Sequence, residues 1–163
     1  MNITLEPIHA SDAEAIVDIF NYYTENSFAA YTERPISYDM FDAFFHASRG
    51  YPAVTAKEEA GMVVGFGMLR PFSTIPAFSR TAELTCFLRH GFTGEGIGRT
   101  VLSFLEEKAR DTGITTILAS ISSLNEQSIR FHLSNGFQEC GRFRAIGRKK
   151  GVTFDVIYCQ KMI

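Results

Sequence analysis

The sequence predicts an α+β fold in which a central mixed, mostly antiparallel sheet carries helices on both faces. The first observation is the order of the predicted elements, βααβββαβαββ, which mixes runs of strands with helices. The second is a hairpin signal, in which two apolar segments are joined by the short turn 58–61. The third is the stretch 82–102, which has the pattern of a buried strand, a glycine-rich turn and an amphipathic helix.

The N-terminal part of the chain is predicted to supply one strand and two helices. Residues 2–6 form the strand, and Ser11 with Glu14 forms a capping box for the first helix. The buried face of this helix consists of Ala15, Ile16, Ile19, Phe20 and Tyr23. Residues 26–35 form a loop, after which Ser37 caps the second helix. The buried side of the second helix contains Met40, Phe41, Phe44 and Phe45.

The rest of the chain is predicted to alternate between strands and helices. The strands are expected at residues 52–57, 62–69, 82–88 and 115–121, and in a final pair that flanks the turn 147–151. A long helix follows the glycine-rich turn and ends near Gly113, and a short helix covers residues 125–134. Because no repeat or linker interrupts this order, residues 1–163 are expected to form a single domain.

Composition and charge exclude several classes of function. Of the 163 residues, 45% are apolar and 21% are charged, which is typical of a globular domain. The net charge of −2 gives no basic footprint for nucleic acid. No apolar run approaches the roughly 20 residues that span a membrane. The N-terminus lacks the pattern of a secretory signal, so we expect a cytoplasmic protein.

The cysteines and histidines do not form a metal-binding pattern. Cys86, Cys140 and Cys159 lie far apart in apolar segments, which predicts reduced thiols in the core. The four histidines do not cluster with cysteines or carboxylates at ligand spacing. We therefore expect no metal site.

The glycine-rich turn is a predicted anion site. It contains Gly91, Gly94, Gly96 and Gly98. The helix that begins there exposes N–H groups without partners, and its dipole favours negative charge. The nucleoside triphosphate motif G-x-x-x-x-G-K-[ST] does not fit, because Thr93 and Arg99 occupy its first glycine and its lysine. The dinucleotide motif fails because its third glycine is out of register. A turn that binds no ligand is the alternative.

Two further patterns accompany this x-G-x-G-x-G turn. One is Asn125-x-x-Ser128-Ile129-x-Phe131-His132-x-x-x-Gly136-Phe137, and the other is Gly147-x-Lys149-x-Gly151-x-x-x-Asp155-Val156. Together with residues 81–85 and 21–35, they resemble the GNAT acetyltransferases, in particular their phosphinothricin N-acetyltransferase-like branch. The resemblance covers nearly the whole chain. It implies the GNAT (acyl-CoA N-acyltransferase) fold and direct transfer of an acetyl group from acetyl-CoA to a primary amine.

The resemblance implies two catalytic residues, Glu83 and His132. Glu83 begins the central strand, where this branch carries its general base, and its apolar neighbours Ala82 and Leu84 would partly desolvate it. A surface glutamate is the alternative. His132 occupies the position of a tyrosine that protonates the departing thiolate in many family members. The alternative is a helix histidine that packs on Phe131.

The resemblance also implies a binding site for acetyl-CoA along the central strand, the glycine-rich turn and the two helices beside it. Its residues are Cys86, Phe87, Leu88, Thr93, Gly94, Glu95, Gly96, Ile97, Gly98, Arg99, Thr100, Asn125 and Ser128. Thr93 replaces the usual Arg or Gln ahead of the turn, so we expect one phosphate contact to be missing. Asn125 and Ser128 would bond the pantetheine arm, and helix capping is their alternative role.

The amine substrate is expected between the loop after the first helix and the loop before the central strand. The residues implied there are Phe28, Tyr31, Arg34, Phe72 and Arg80. An arginine that is common in the second loop is absent from residues 73–78, and Arg70 or Arg80 would substitute for it. Phe28 and Tyr31 as ordinary core residues are the alternative.

Three functions are compatible with the sequence. The first is acetylation of a small amino-acid-like amine such as phosphinothricin, methionine sulfoximine or methionine sulfone. The second is acetylation of a protein or peptide amine, and the third is a coenzyme A-binding sensor without turnover. Bulky aromatic residues in both loops favour a small pocket and thus the first function. By analogy with the branch, we expect a homodimer.

Overall fold

The structure, a computed structural model, describes residues 2–163. Seven strands of this part of the chain form one sheet with the order β1-β2-β3-β4-β5-β7-β6. The strands are β1 (Ile3–Glu6), β2 (Ala53–Glu58), β3 (Val63–Pro71), β4 (Thr81–Leu88), β5 (Thr116–Ser122), β6 (Gln138–Lys149) and β7 (Val152–Met162). The α-helices are α1 (Ala13–Asn26), α2 (Phe41–His46), α3 (Ile97–Asp111) and α4 (Glu126–Ser134). The element order matches the predicted one.

The sheet is mixed and mostly antiparallel, as predicted. Among the strand pairs of residues 2–163, only β4 and β5 are parallel. Their register covers three positions, from Thr81 opposite Thr116 to Glu83 opposite Leu118. Beyond Glu83, β4 pairs with β3 alone and β5 pairs with β7 alone. The two strands therefore separate and leave a gap in the middle of the sheet.

The helices cover both faces of the sheet. On one face, α3 packs so closely on β3 that a Cβ atom on Gly67 would lie 2.4 Å from Val101 Cγ1. On the other face, Ile16 and Phe20 of α1 pack in one apolar cluster with Phe66 of β3. Because successive strand residues point to opposite faces, β3 contributes side chains to both cores. These two cores hold α1 and α3 on opposite faces of the sheet, next to the gap between β4 and β5.

The predicted capping of the first helix was wrong. A 3₁₀ turn, Ala10–Asp12, precedes α1, and the carboxylate of Asp12 accepts a hydrogen bond from the backbone N–H of His9 at 2.9 Å. The capping interaction therefore spans His9 and Asp12 instead of Ser11 and Glu14, because the chain enters the helix through a tighter turn.

Three other local predictions were also wrong. Met40 is exposed because it belongs to a second 3₁₀ turn, Tyr38–Met40, which breaks the helical period ahead of Phe41. Ser37 precedes that turn, but its side chain makes no capping hydrogen bond. Cys140 is exposed because it lies on β6, the edge strand of the sheet, whereas Cys159 is buried as predicted.

No helix of residues 2–163 is long and apolar enough to cross a membrane. Within the same range, no cluster of three or more His, Cys, Asp or Glu side chains could hold a metal ion.

Candidate active site

The gap between β4 and β5 opens into a cavity of about 680 Å³. Its walls come from β4 and β5 on either side of the gap, from the glycine-rich turn, from α4 and from residues 29–32 after α1. β5 supplies no partner to residues 84–88, so that edge of β4 lacks strand hydrogen bonds and faces the cavity. The Leu88 carbonyl accepts a hydrogen bond from the Tyr23 hydroxyl at 2.6 Å, which leaves the backbone groups before it available to a ligand. The cavity thus combines an open strand edge with the start of a helix.

The glycine-rich turn adopts the conformation that an anion site needs. Gly94 and Gly96 have φ values of +86° and +80°, in the left-handed region that favours glycine. Gly96 leads directly into α3, whose first N–H groups have no intrahelical acceptor. At Gly98, a Cβ atom would lie 3.2 Å from Phe131 Cε2, so glycine lets α3 and α4 approach closely. The turn therefore presents N–H groups at one end of the cavity, where a phosphate is favoured.

Most of the residues predicted to bind acetyl-CoA line this cavity. They are Cys86, Phe87, Leu88, Thr93, Gly94, Gly96, Gly98, Arg99, Asn125 and Ser128. Three others lie elsewhere: Glu95 is exposed, Ile97 is buried in the core, and the hydroxyl of Thr100 donates to the Gly96 carbonyl at 3.2 Å. A side-chain role for these three in binding stays a prediction that the cavity does not support.

The carboxylate of Glu83 lies in the cavity and is paired with Arg70. The two residues are cross-strand neighbours on β4 and β3. Nη2 and Nε of Arg70 both donate to Oε2 of Glu83, at 2.8 and 3.1 Å. Both donors converge on one oxygen, so Oε1 receives no hydrogen bond from Arg70. The sequence indicated only the apolar neighbours of Glu83, because Arg70 reaches it through the strand register.

His132 is held in one tautomer. Its Nδ1 lies 2.7 Å from the carbonyl oxygen of Ser128, which can only accept, so Nδ1 carries the proton. Burial lowers the pKa of His132, and the hydrogen bond to the Ser128 carbonyl partly opposes this shift. The ring is therefore mostly neutral near pH 7, and Nε2 is a proton acceptor. The ring also packs edge-on against Phe131 and Phe137, at 5.2 and 5.0 Å between centroids.

Asn125 has a structural role at the start of α4. Its side-chain oxygen accepts a hydrogen bond from the backbone N–H of Ser128 at 3.2 Å, which caps the helix. Both residues also line the cavity, so the capping role and a ligand-binding role are compatible.

Cys86 is the cysteine that lines the cavity. Burial raises the pKa of its thiol to about 12. On the order of 10⁻⁵ of this thiol is ionised near pH 7, and the thiolate is the nucleophilic form. Cys86 is therefore a poor candidate for a covalent acyl carrier.

Tyr31 is the predicted substrate residue that lines the cavity. Its hydroxyl lies 3.0 Å from Ser120 Oγ on β5. Burial raises the pKa of Tyr31, and the hydrogen bond with Ser120 opposes that shift, so the phenol stays protonated near neutral pH. Sequence analysis missed Ser120 and its cross-strand partner Tyr158. A polar residue inside a β-branched strand was the available signal for Ser120.

The other predicted substrate residues do not reach the cavity. Phe28 packs edge-on against Phe154 at 6.0 Å, and Phe72 packs against Phe78 at 5.6 Å. Nε of Arg80 donates to the carbonyl of Gly113 at 3.3 Å, and Arg34 is exposed. The loop 72–80 lies beyond the paired ends of β3 and β4, past Glu83, and this places Phe72 and Arg80 outside the cavity. Their contact with substrate stays a prediction that the geometry does not favour.

The parallel strand pair β4–β5 thus separates beside the N-terminus of α3 and leaves a cleft that contains a carboxylate and ends at a turn suited to an anion. Residues 16–137 match the model of the acetyltransferase (GNAT) family, and the chain belongs to that family. The resemblance and the fold expected from the sequence are thus confirmed. The protein is therefore an N-acetyltransferase of this family.

Individual relatives match over nearly the whole chain. An L-methionine sulfoximine/L-methionine sulfone acetyltransferase of Pseudomonas aeruginosa PAO1 is 30% identical, over 98% of this chain and 94% of its own. A phosphinothricin acetyltransferase of Sinorhizobium meliloti, solved in complex with acetyl-CoA, has a TM-score of 0.93 and 30% identity, covering 100% and 89%. A ribosomal-protein-alanine N-acetyltransferase of Brucella melitensis has a TM-score of 0.92 and 31% identity, covering 98% and 99%.

Proposed function

We propose that the protein acetylates the primary amine of a small amino-acid-like substrate of the phosphinothricin, methionine sulfoximine or methionine sulfone type. The observation that carries this proposal is the Arg70–Glu83 pair in the cavity. A carboxylate can accept the proton of an amine, and a guanidinium can hold the carboxylate of an amino acid. The names of the relatives support the same substrate class.

In this proposal, acetyl-CoA supplies a thioester for direct attack by the amine. The N–H groups at the start of α3 hold its diphosphate, and the open edge of β4 holds its pantetheine arm. Thr93 and Arg99 lie at the phosphate end of the cavity, and Asn125 and Ser128 lie on the α4 side. The raised pKa of Cys86 supports direct attack over an acyl-enzyme.

Glu83 acts as the general base in this proposal. The α-amine of an amino acid has a pKa of about 7.7–8, so on the order of a tenth is neutral at pH 7. Glu83 therefore has two possible tasks. It takes a proton from the ammonium form before attack, or from the nitrogen of a neutral amine, which becomes cationic on attack. Oε1 of Glu83 is available for that proton while Oε2 stays bound to Arg70.

His132 can act as an acid toward the departing thiolate only when both of its ring nitrogens carry a proton. Only the doubly protonated ring can donate from Nε2, and the lowered pKa makes that form scarce near pH 7. A thiol of pKa about 8.5 leaves readily as a thiolate, so little acid assistance is required. We propose that His132 contributes as an acid only below neutral pH.

The second candidate function is acetylation of a protein or peptide amine. A structure named as a ribosomal-protein-alanine N-acetyltransferase has 31% identity and favours it. An N-terminal peptide, however, has no free carboxylate next to its amine for Arg70 to hold. The free-carboxylate requirement therefore separates the two candidates.

The test is release of coenzyme A thiol from acetyl-CoA against a panel of amines. The panel contains free amino acids and analogues, the corresponding amino acid amides, and short N-terminal peptides. We expect turnover with the free acids and at least a tenfold lower kcat/KM with the amides. Faster turnover of peptides would favour the second candidate, and acetyl-CoA binding without release by any amine would favour the sensor.

We also propose a homodimer in the cytoplasm. Phe143 and Ile146 are exposed apolar residues on the edge strand β6, where a second copy would find an apolar surface. The three free cysteines suit a reducing compartment. Analytical ultracentrifugation of the protein and of Phe143→Lys tests the dimer, and a wild-type monomer would contradict it.

A further inference from the structure

We propose that Lys149 is a positioning residue for the amine site. It holds residues 27–32, which form one wall of that site, against the β6–β7 hairpin. The inference rests on the proposed function in one respect, that the cavity wall near Glu83 receives the amine. Lys149 lies at the end of β6, inside the G-x-K-x-G turn pattern, and the mechanism above does not use it.

The ammonium group of Lys149 is buried and bound to backbone carbonyls. The residue is only 1% exposed. Its Nζ donates to the carbonyls of Ser27 and Ala30, each at 2.7 Å, and lies 3.5 Å from that of Tyr23. These carbonyls are more than 100 residues away in sequence, so the contact joins two distant parts of the chain.

Burying a cation is unfavourable unless polar groups replace its hydration shell. Within residues 2–163, no carboxylate forms an ion pair with Lys149. Three carbonyl oxygens replace the hydration shell of the ammonium group instead. That of Tyr23 lies in the last turn of α1, where the helix dipole favours a cation. The burial of Lys149 is therefore tolerated only in one conformation of residues 27–32.

That conformation determines a wall of the cavity. Ala29, Ala30, Tyr31 and Thr32 all line it. The hydroxyl of Thr32 bonds that of Thr24 at 2.7 Å, and the hydroxyl of Tyr31 bonds that of Ser120 on β5. Loss of the Lys149 contacts would release the segment that places the Tyr31 hydroxyl on the same side of the sheet as Glu83.

The same hairpin supports the segment a second time, through Phe154 on β7. Its ring stacks on Tyr31 with 5.8 Å between centroids and packs edge-on against Phe28. A Cβ atom on the facing residue, Gly147, would lie 2.3 Å from this ring. Gly147 thus leaves the space that Phe154 fills. Lys149 and Gly147 therefore both support residues 27–32, Lys149 through its hydrogen bonds and Gly147 through the space that it leaves for Phe154.

The experiment compares Lys149→Met with Arg148→Met. Both remove a cation from the hairpin, but Arg148 is exposed and serves as the matched control. For Lys149→Met we expect the KM of the amine to rise about tenfold or more. This factor corresponds to the free energy of roughly one charge-assisted hydrogen bond. The KM of acetyl-CoA should change less than about twofold, because the glycine-rich turn does not touch Lys149.

Amide hydrogen exchange gives a readout that needs no activity. We expect faster exchange in residues 27–32 of Lys149→Met, with α3 unchanged, and no change in Arg148→Met. Unaltered exchange in 27–32, or equal acceleration throughout the chain, would overturn the proposal. If Lys149→Met does not fold, Phe154→Leu takes its place, with the same split between the two KM values expected. If only the proposed function fails, the exchange pattern persists without any amine turnover.

Discussion

Replacing Arg70 with methionine removes the guanidinium that faces Glu83 and, in the proposed complex, the carboxylate of the substrate. A hydrogen bond to a charged group contributes about 1.5–3 kcal/mol when it is well formed. The side chain of Arg70 is 50% exposed, so solvent screening places its contribution at the lower end of this range. We therefore expect the KM of a free amino acid to rise about tenfold, or somewhat more.

The assay measures kcat/KM for a free amino acid and for its decarboxylated amine in the wild type and in Arg70→Met. The free acid should lose about tenfold more than the decarboxylated amine, because both substrates lose the Arg70–Glu83 pair but only the free acid has a carboxylate for Arg70 to hold. Arg80→Met is the matched comparison: its guanidinium bonds the carbonyl of Gly113 outside the cavity. An equal loss for both substrates in Arg70→Met, or a selective loss in Arg80→Met, would refute the reasoning.

Four further predictions concern the cavity. Glu83→Gln should lower kcat/KM about 10²-fold, mostly below neutral pH where fewer amines are neutral; a pH–rate profile identical to that of the wild type would contradict the base role. Because burial lowers the pKa of His132 in the folded state, the unfolded state binds its proton more readily, and stability is lost as the pH falls below about 6.5. The free energy of unfolding of His132→Gln should therefore vary less between pH 7 and pH 5 than that of the wild type, as chemical denaturation would measure; an equal variation would argue against a neutral ring. Cys86→Ala should keep activity within a few-fold, and iodoacetamide should label the exposed Cys140 first; a loss of several orders of magnitude would indicate an acyl-enzyme. Thr93→Arg should tighten acetyl-CoA binding several-fold in calorimetry by adding a phosphate contact, and unchanged affinity would show that no contact is missing.

Much of the fold, and the glycine-rich turn at one end of the cavity, followed from local patterns. The left-handed φ values of Gly94 and Gly96 are a property that glycine itself supplies, and the helix after them has a clear apolar period. The order of strands and helices was correct for the same reason. Local capping was predicted less well at Ser11, because a 3₁₀ turn and an α-helix start with similar residues.

The part of the cavity proposed to receive the amine depends on contacts that join distant residues. The partner of Glu83 is set by the register of β3 against β4, which no local pattern specifies. The same register carries Phe72 and Arg80 past the cavity, although their residue types suited a substrate site.

Local sequence patterns predicted the element order and the glycine-rich turn, because periodicity and glycine conformation act over a few residues. The motifs resembled those of an acetyltransferase family, and the family match confirmed this resemblance. Three features follow from the folded structure alone: Arg70 faces Glu83, the Nδ1 proton of His132 binds the Ser128 carbonyl, and Lys149 is buried against residues 27–32. These features arise where side chains from separate elements are desolvated against one another. Their energies therefore depend on which partners the folded chain brings within hydrogen-bonding distance.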